Sequence, residues 1–251
     1  MAIKEEIANS NTEWEIQMAY RDLLRKTIIT GGAKNVRSKH QEKTIDIAVR
    51  NVIASLYKNY NVQFFHAGSV KLKEIVMDLK NKFPEIEFTY LFESSSMRPD
   101  GGILFLRSLK DELYPILITE VKQQGTNDLL AAEGKPKQAK GNAIERLGKN
   151  VIGFRTALIS EAIFPFVCFG YGCDFDDASS ILDRVVTIAM FGKLNKTYLH
   201  NEGLNGVFNR GSFYFRKEEW TIDEMQKIMY DIAEKSIFYY FSKYGKKSFL
   251  K

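Results

Sequence analysis

The segment Ile116-Leu-Ile-Thr-Glu120-Val-Lys122 is apolar until it ends on charge. Read as a strand, it sends Ile116, Ile118, Glu120 and Lys122 to one face and Leu117, Thr119 and Val121 to the other. A carboxylate and an ammonium then stand side by side at a strand end, an arrangement that taken alone also describes a plain surface ion pair. Upstream, Pro99-Asp100-Gly101-Gly102 leads into a second apolar run, Gly102 to Leu106. If this run and Tyr114 to Val121 form a hairpin turning near Lys110-Asp111, antiparallel pairing places Asp100 opposite roughly Val121, within reach of Glu120. Two carboxylates and a lysine converge. Anionic oxygen ligands on a rigid sheet suit a hard cation such as Mg2+, which keeps several waters and shares the phosphate oxygens of a substrate. Such an ion stabilises charge developing on a phosphoryl group and acidifies a bound water, while Lys122 orients that water or neutralises the pentacovalent intermediate. The chemistry implied is metal-assisted phosphodiester hydrolysis by Asp100, Glu120 and Lys122. The paired glycines also fit an ordinary turn with positive φ.

A second unit is Gly141-Asn142-Ala143-Ile144-Glu145-Arg146. Asn142 with Glu145 three residues on resembles a capping box, and Glu145 with Lys149 is an i,i+4 ion pair, so the unit reads as a helix start. The same helix start, entering a major groove, presents Asn142 to adenine, whose N7 accepts and whose amino group donates to an amide. Arg146, one turn deeper, bonds a purine or a phosphate, and Glu145 accepts from a base amino group or holds Arg146 in place. Lys135, Lys137 and Lys140 lie in the preceding loop, as solvated charges or as phosphate contacts.

These residues need a scaffold, and periodicity supplies one. Helices are expected at Glu13 to Thr27, at Glu42 to Tyr57, and at Ser69 to Lys82, which stops before Pro84. Gly31 to His40 reads as a basic loop between the first two. Strands are expected at Ile86 to Phe92, Gly102 to Leu106 and Tyr114 to Val121, followed by a helix from Asn142 to about Ala162 and a strand at Phe166 to Phe169. Strand, helix, strand suggests a crossover. A helix at Ser180 to Gly192, a short strand at Phe213 to Phe215 and a closing helix at Thr221 to Tyr244 complete the chain. The expectation is an α/β fold with a central mixed sheet flanked by helices, in a single domain over 1–251: a helical part at 1–60 and a catalytic and DNA-recognition core at 61–251.

With 251 residues, 45% hydrophobic and 27% charged, the chain has the composition of a folded protein and excludes extensive disorder. No uncharged run approaches the ~20 residues of a spanning helix. The N-terminus, charged from Lys4, lacks an apolar signal core, so a cytoplasmic protein without membrane contact is expected. Cys168 and Cys173 are the two cysteines, the first in an apolar segment where a thiol packs as a small hydrophobe. With three scattered histidines they form no zinc cluster. A net charge of +5 permits a polyanionic partner without requiring one.

Taken together, Ser94-Ser-Ser-Met-Arg-Pro-Asp100-Gly-Gly, Glu120-Val-Lys122-Gln-Gln-Gly125 and Gly141-Asn-Ala-Ile-Glu-Arg146 closely resemble the EcoRI-type restriction endonucleases, nucleases of the PD-(D/E)xK superfamily. The hexapeptide behind the catalytic motif is the specific part. The likeness continues through Phe164-Pro-Phe-Val-Cys-Phe169, Leu182-Asp-Arg184 and Ile228-Met-Tyr-Asp231, covering roughly residues 60 to 245. The resemblance implies a restriction-endonuclease-like core in a homodimeric type II enzyme that hydrolyses both strands of a short palindromic double-stranded DNA site with Mg2+. A cognate methyltransferase in the host would be its functional partner. It further implies that Asp100, Glu120 and the Val121 backbone carbonyl hold the metal and that Lys122 is catalytic. Recognition would fall to Asn142, Ala143, Glu145 and Arg146, reading a central AATT. A two-fold protein matches a palindrome and supplies two active sites for two strands. This chain departs from the pattern at Lys140, where one branch of the family has a small apolar residue and another an arginine. The resemblance then implies that Lys140 reads a guanine as that arginine does. In the later recognition segment the chain keeps Arg184 of an arginine pair but has Ile181 at the other place, so the outer base pair need not be that of the type member. The rival readings are a repair nuclease with the same metal centre, told apart by cleavage of unspecific DNA, and a sequence-specific binder with an inactive centre, told apart by binding without cleavage.

Overall fold

The computed structural model describes residues 33–123, 134, 142–172, 175, 182, 185–186, 194–201 and 209–250, and of 33–39, 142–143 and 145 the backbone alone. Its elements are α1 (Ala33–Asn59), β1 (Gln63–Ala67), β2 (Val70–Lys71), α2 (Leu72–Lys82), β3 (Ser96–Met97), β4 (Ile103–Arg107), β5 (Leu113–Gln123), α3 (Asn142–Ala157), β6 (Phe166–Tyr171), β7 (Ser212–Arg216) and α4 (Ile222–Tyr244). A five-stranded sheet runs in the order β1-β4-β5-β6-β7, and β2 pairs with β3 separately. β1, β4 and β5 are antiparallel neighbours, while β5, β6 and β7 are parallel. The sheet is mixed and flanked by helices, as expected.

Two apolar layers hold it. On one face α1 buries Ile45, Ala48, Val49, Val52 and Leu56, a stripe at helical spacing, against α4 through Met225, Met229, Ile232, Ala233 and Ile237, with Leu104, Leu117, Val121, Val167 and Phe169 from the sheet. On the other, α3 contributes Ile144, Leu147, Val151 and Phe154 to a cluster with Ile103, Ile118, Phe166, Cys168 and Phe213. Each buried Val, Leu, Ile, Phe or Met side chain among these contributes ~1.5–3 kcal/mol relative to exposure. α4 starts at Thr221, whose hydroxyl accepts from the Glu224 N–H while Glu224 reaches back to the Thr221 N–H, and it ends at Gly245 with φ 82°.

The structure corrects several expectations. The basic stretch Lys34 to His40 is helix rather than loop, because α1 starts at Ala33. Nothing after Gly32 breaks a helix, and buried His40, Gln41 and Thr44 extend the inward stripe toward its start. Ile86 to Phe92 forms no strand. Its β-favouring residues meet no partner edge, and Ile86, Leu91 and Phe92 stay exposed. The pairing there belongs to Ser96–Met97 against Val70–Lys71. β1 was not anticipated, as its burial does not alternate. On β5 the expected alternation breaks once. The ladder shifts register between Leu104 and Phe105, opposite Leu117 and Pro115, so Ile116 joins the same core cluster as Leu117. The helix expected to reach Ala162 ends at Ala157. The expected helix Glu13 to Thr27 lies outside the described residues, as does most of Ser180 to Gly192, where Leu182, Val185 and Val186 are helical.

Candidate active site

The hairpin turn falls where hairpin counting puts it. Arg107 pairs with Leu113, Asp111 takes φ 65°, and the Asp111 N–H donates to the Ser108 carbonyl at 3.0 Å. The register shift on β5 then carries the line of pairing to Asp100 and Val121. The Val121 N–H donates to Asp100 Oδ2 and the Asp100 N–H donates to Glu120 Oε2, each at 3.2 Å. Asp100 is held by its turn: the Gly101 N–H donates to the Thr119 carbonyl at 3.0 Å, and His66 on β1 contacts the Gly101 carbonyl at 3.0 Å. Of the glycine pair, Gly102 has the positive φ of 78°. Gly101 is required sterically, since a Cβ there would lie 2.1 Å from Thr119 Oγ1.

Lys122 Nζ donates to Asp100 Oδ2 at 3.2 Å and to Glu120 Oε1. The Glu120 side chain is 1% exposed, Lys122 16% and Asp100 30%, so the centre grades from core to solvent along one strand end. Burial raises the Glu120 carboxyl above its ordinary range, against the pull of the Lys122 ammonium. Burial would lower Lys122, yet Glu120 and Asp100 hold it above its ordinary value. Cys168, the β6 partner of Glu120, is free and fully buried, and burial raises its thiol. It is a packing residue, as expected. Cys173 lies outside the described residues.

Two side chains complete the centre that sequence reasoning does not find. Asn150, on α3, donates from Nδ2 to Glu120 Oε1 at 3.0 Å. The Gln41 amide of α1, its oxygen turned toward β5, accepts from the backbone N–H groups of Lys122 at 3.0 Å and Gln123 at 3.2 Å. Each leaves a trace in the sequence. Gln41 is a polar residue four before Ile45 on a buried stripe, and Asn150 is four after Arg146 on the helix that begins with Asn142.

Asp100, Val121, Lys122 and Arg146 line one open cleft of about 270 Å³ together with Gln41, Glu42 and Gln123. Arg146 is exposed there. Asn142, Ala143 and Glu145 form the first turns of α3 with side chains outside the described set, and Lys140 and Arg184 lie outside the described residues. Among the described residues no three His, Cys, Asp or Glu side chains group to cage a metal. The donors are two carboxylates, one of them buried, beside backbone carbonyl oxygen. That set fits a hard, largely hydrated divalent ion and does not fit zinc.

The mixed sheet flanked by helices, with two carboxylates and a lysine gathered at a strand end, is consistent with a restriction-endonuclease-like fold. The family model described as "Restriction endonuclease EcoRI" matches residues 30–247. The type II restriction enzyme RsrI of Cereibacter sphaeroides is 29% identical over 230 residues, spanning 76% of this chain and 83% of its own. The type II restriction enzyme EcoRI of Escherichia coli is 29% identical over 235 residues, spanning 78% and 85%. The chain belongs to the EcoRI family of restriction endonucleases and is a site-specific deoxyribonuclease. Enzymes of this type act on double-stranded DNA and generally use a divalent metal. Among the described residues no helix is long and apolar enough to cross a membrane.

Proposed function

We propose that this nuclease, as a homodimer, cuts both strands of a short palindromic duplex with a central AATT, using Mg2+ held by Asp100, Glu120 and the Val121 carbonyl. The observation that carries the reading is the single cleft shared by Asp100, Val121, Lys122 and Arg146. Bound there, Mg2+ supplies an acidified water and charge stabilisation at the phosphoryl group. The chain supplies the rest. Glu120, buried and raised by desolvation, is costly to leave as a bare anion, so the site favours cationic company. Lys122, whose ammonium faces both carboxylates, supplies a positive charge and a hydrogen-bond donor beside the reacting phosphate. Asn142, Ala143, Glu145 and Arg146 read the central bases from the start of α3, and Lys140 and Arg184 read the flanking ones. The whole chain works as one nuclease domain in the cytoplasm, where a methyltransferase of the same specificity protects the host DNA.

The test is digestion of a long sequenced duplex by the purified protein with and without Mg2+, followed by sequencing of the fragment ends. Discrete ends sharing one palindrome that contains AATT support the reading and supply the outer bases. Ends without a common sequence refute site specificity, ends without AATT refute the core assignment, and Mg2+-independent cutting refutes the metal.

A further inference from the structure

The carboxylate of Glu120 receives three donors. Lys122 Nζ and Asn150 Nδ2 point at Oε1, and the Asp100 N–H points at Oε2. They differ in what holds them. Lys122 sits on the same strand and is a long, flexible cation. The Asp100 N–H belongs to the turn that carries the other carboxylate. Asn150 alone of the three comes from a separate rigid element, and its amide must present nitrogen, since an ionised carboxylate offers only acceptors. Being neutral, it orients Glu120 without competing for the ion as a cation would. Asn142, Arg146 and Asn150 recur at i, i+4 and i+8 along α3 and so share one helical face.

We infer that Asn150 is a positioning residue for the Glu120 carboxylate, fixing it for metal binding from the helix that begins with the groove-facing residues. The inference rests on the reading of Asp100 and Glu120 as metal ligands. Hydrogen-bond partners of ligating carboxylates set metal affinity, and their loss typically costs about 10–100-fold. Excess ion restores what such a loss removes, whereas a damaged fold is not repaired by metal.

The experiment titrates Ca2+ calorimetrically into the protein bound to its duplex, for wild type, Asn150→Ala and the near-isosteric Asn150→Leu, with Glu120→Ala as control. Duplex affinity without metal and the Mg2+ dependence of single-turnover cleavage are measured alongside. Both Asn150 variants should bind Ca2+ at least about tenfold more weakly and need correspondingly more Mg2+ for half-maximal cleavage, with metal-free duplex affinity within about threefold of wild type. Unchanged Ca2+ affinity in the Asn150 variants, with Ca2+ binding lost in Glu120→Ala, overturns the role of Asn150 and leaves the metal site standing. Equal loss of metal-free duplex binding also overturns it, making Asn150 a DNA contact. Ca2+ binding retained in Glu120→Ala removes the ligand reading itself and the inference with it.

Discussion

Gly101→Ala isolates how tightly the turn that carries Asp100 is seated. The added Cβ would stand 2.1 Å from Thr119 Oγ1, 3.0 Å from Ile45 Cγ1 and 3.1 Å from Thr119 Cβ. Against an ordinary contact of 3.4 Å the first is short by about 1.3 Å. Thr119 cannot swing clear easily, because it is 1% exposed and β-branched. The turn itself must therefore lift from β5, stretching the bond from the Gly101 N–H to the Thr119 carbonyl and carrying Asp100 away from Glu120. A displacement near 1 Å costs on the order of 10²-fold in rate, equivalent to about 2.7 kcal/mol of activation energy. Overpacking should also lower stability by about 1–3 kcal/mol. Single-turnover cleavage with excess protein and saturating Mg2+ reads the first figure, and urea unfolding reads the second. Thr119→Ala, added to Gly101→Ala, deletes the atom at 2.1 Å and should restore at least about tenfold of the rate, a coupling that independent sites do not show. Cleavage by Gly101→Ala within about threefold of wild type would refute the reasoning, as would a double variant no faster than the single one.

Glu120→Ala should keep site-specific duplex binding while cleavage falls by at least about 10³-fold, measured by gel shift and single-turnover kinetics, since on the proposed reading it removes a metal ligand and leaves the start of α3 untouched. Asn142→Ala should lose about 1–3 kcal/mol of specific affinity for each bidentate contact removed, with salt-sensitive non-specific binding intact; unchanged specific binding would leave Asn142 as a helix cap. Glu224 is held at about 2, below its ordinary 4.5, chiefly by its hydrogen bonds with Arg216 at 2.6 and 2.8 Å. A depressed carboxyl stabilises the fold above its unfolded value and ceases to do so as pH falls through its folded one. Because Glu224 is 42% exposed and screened, Glu224→Gln should cost only about 1 kcal/mol in urea melts at pH 7. That gap should close as pH falls from about 4.5 toward 2.

The convergence of Asp100, Glu120 and Lys122 is legible because strand alternation and hairpin counting are local rules, and Asp100 and Glu120 lie on either side of one hairpin. The bulge that spoils the alternation at Ile116 is spent before Thr119, so Glu120 and Lys122 keep their common side. Gln41 and Asn150 are not legible in the same way. Their partners are set by how α1 and α3 dock on the sheet, which depends on the packing of two whole cores. Ile86 to Phe92 fails for a related reason: propensity proposes a strand, and only an available edge makes one. His66, on an edge strand with no alternation, gives no signal at all that it meets the Gly101 carbonyl.

Topology explains why Arg146 shares one cleft with Asp100 and Lys122. β5 and β6 are parallel neighbours, so the chain leaving β5 at Gln123 must return to the opposite edge before it enters β6 at Phe166. α3 makes that return, which puts its N-terminus at the edge where β5 ends. Carboxyl ends of parallel strands and amino ends of the helices that follow therefore meet, the general location of ligand sites in such sheets. Glu120 to Gln123 and Asn142 to Arg146 occupy those two ends. Two turns further along α3, Asn150 comes level with the strand end and reaches Glu120. The helix that begins at Asn142 and the strand end that carries Glu120 are thus joined through Asn150, so on the proposed reading a tilt of that helix on DNA would be felt at the carboxylate.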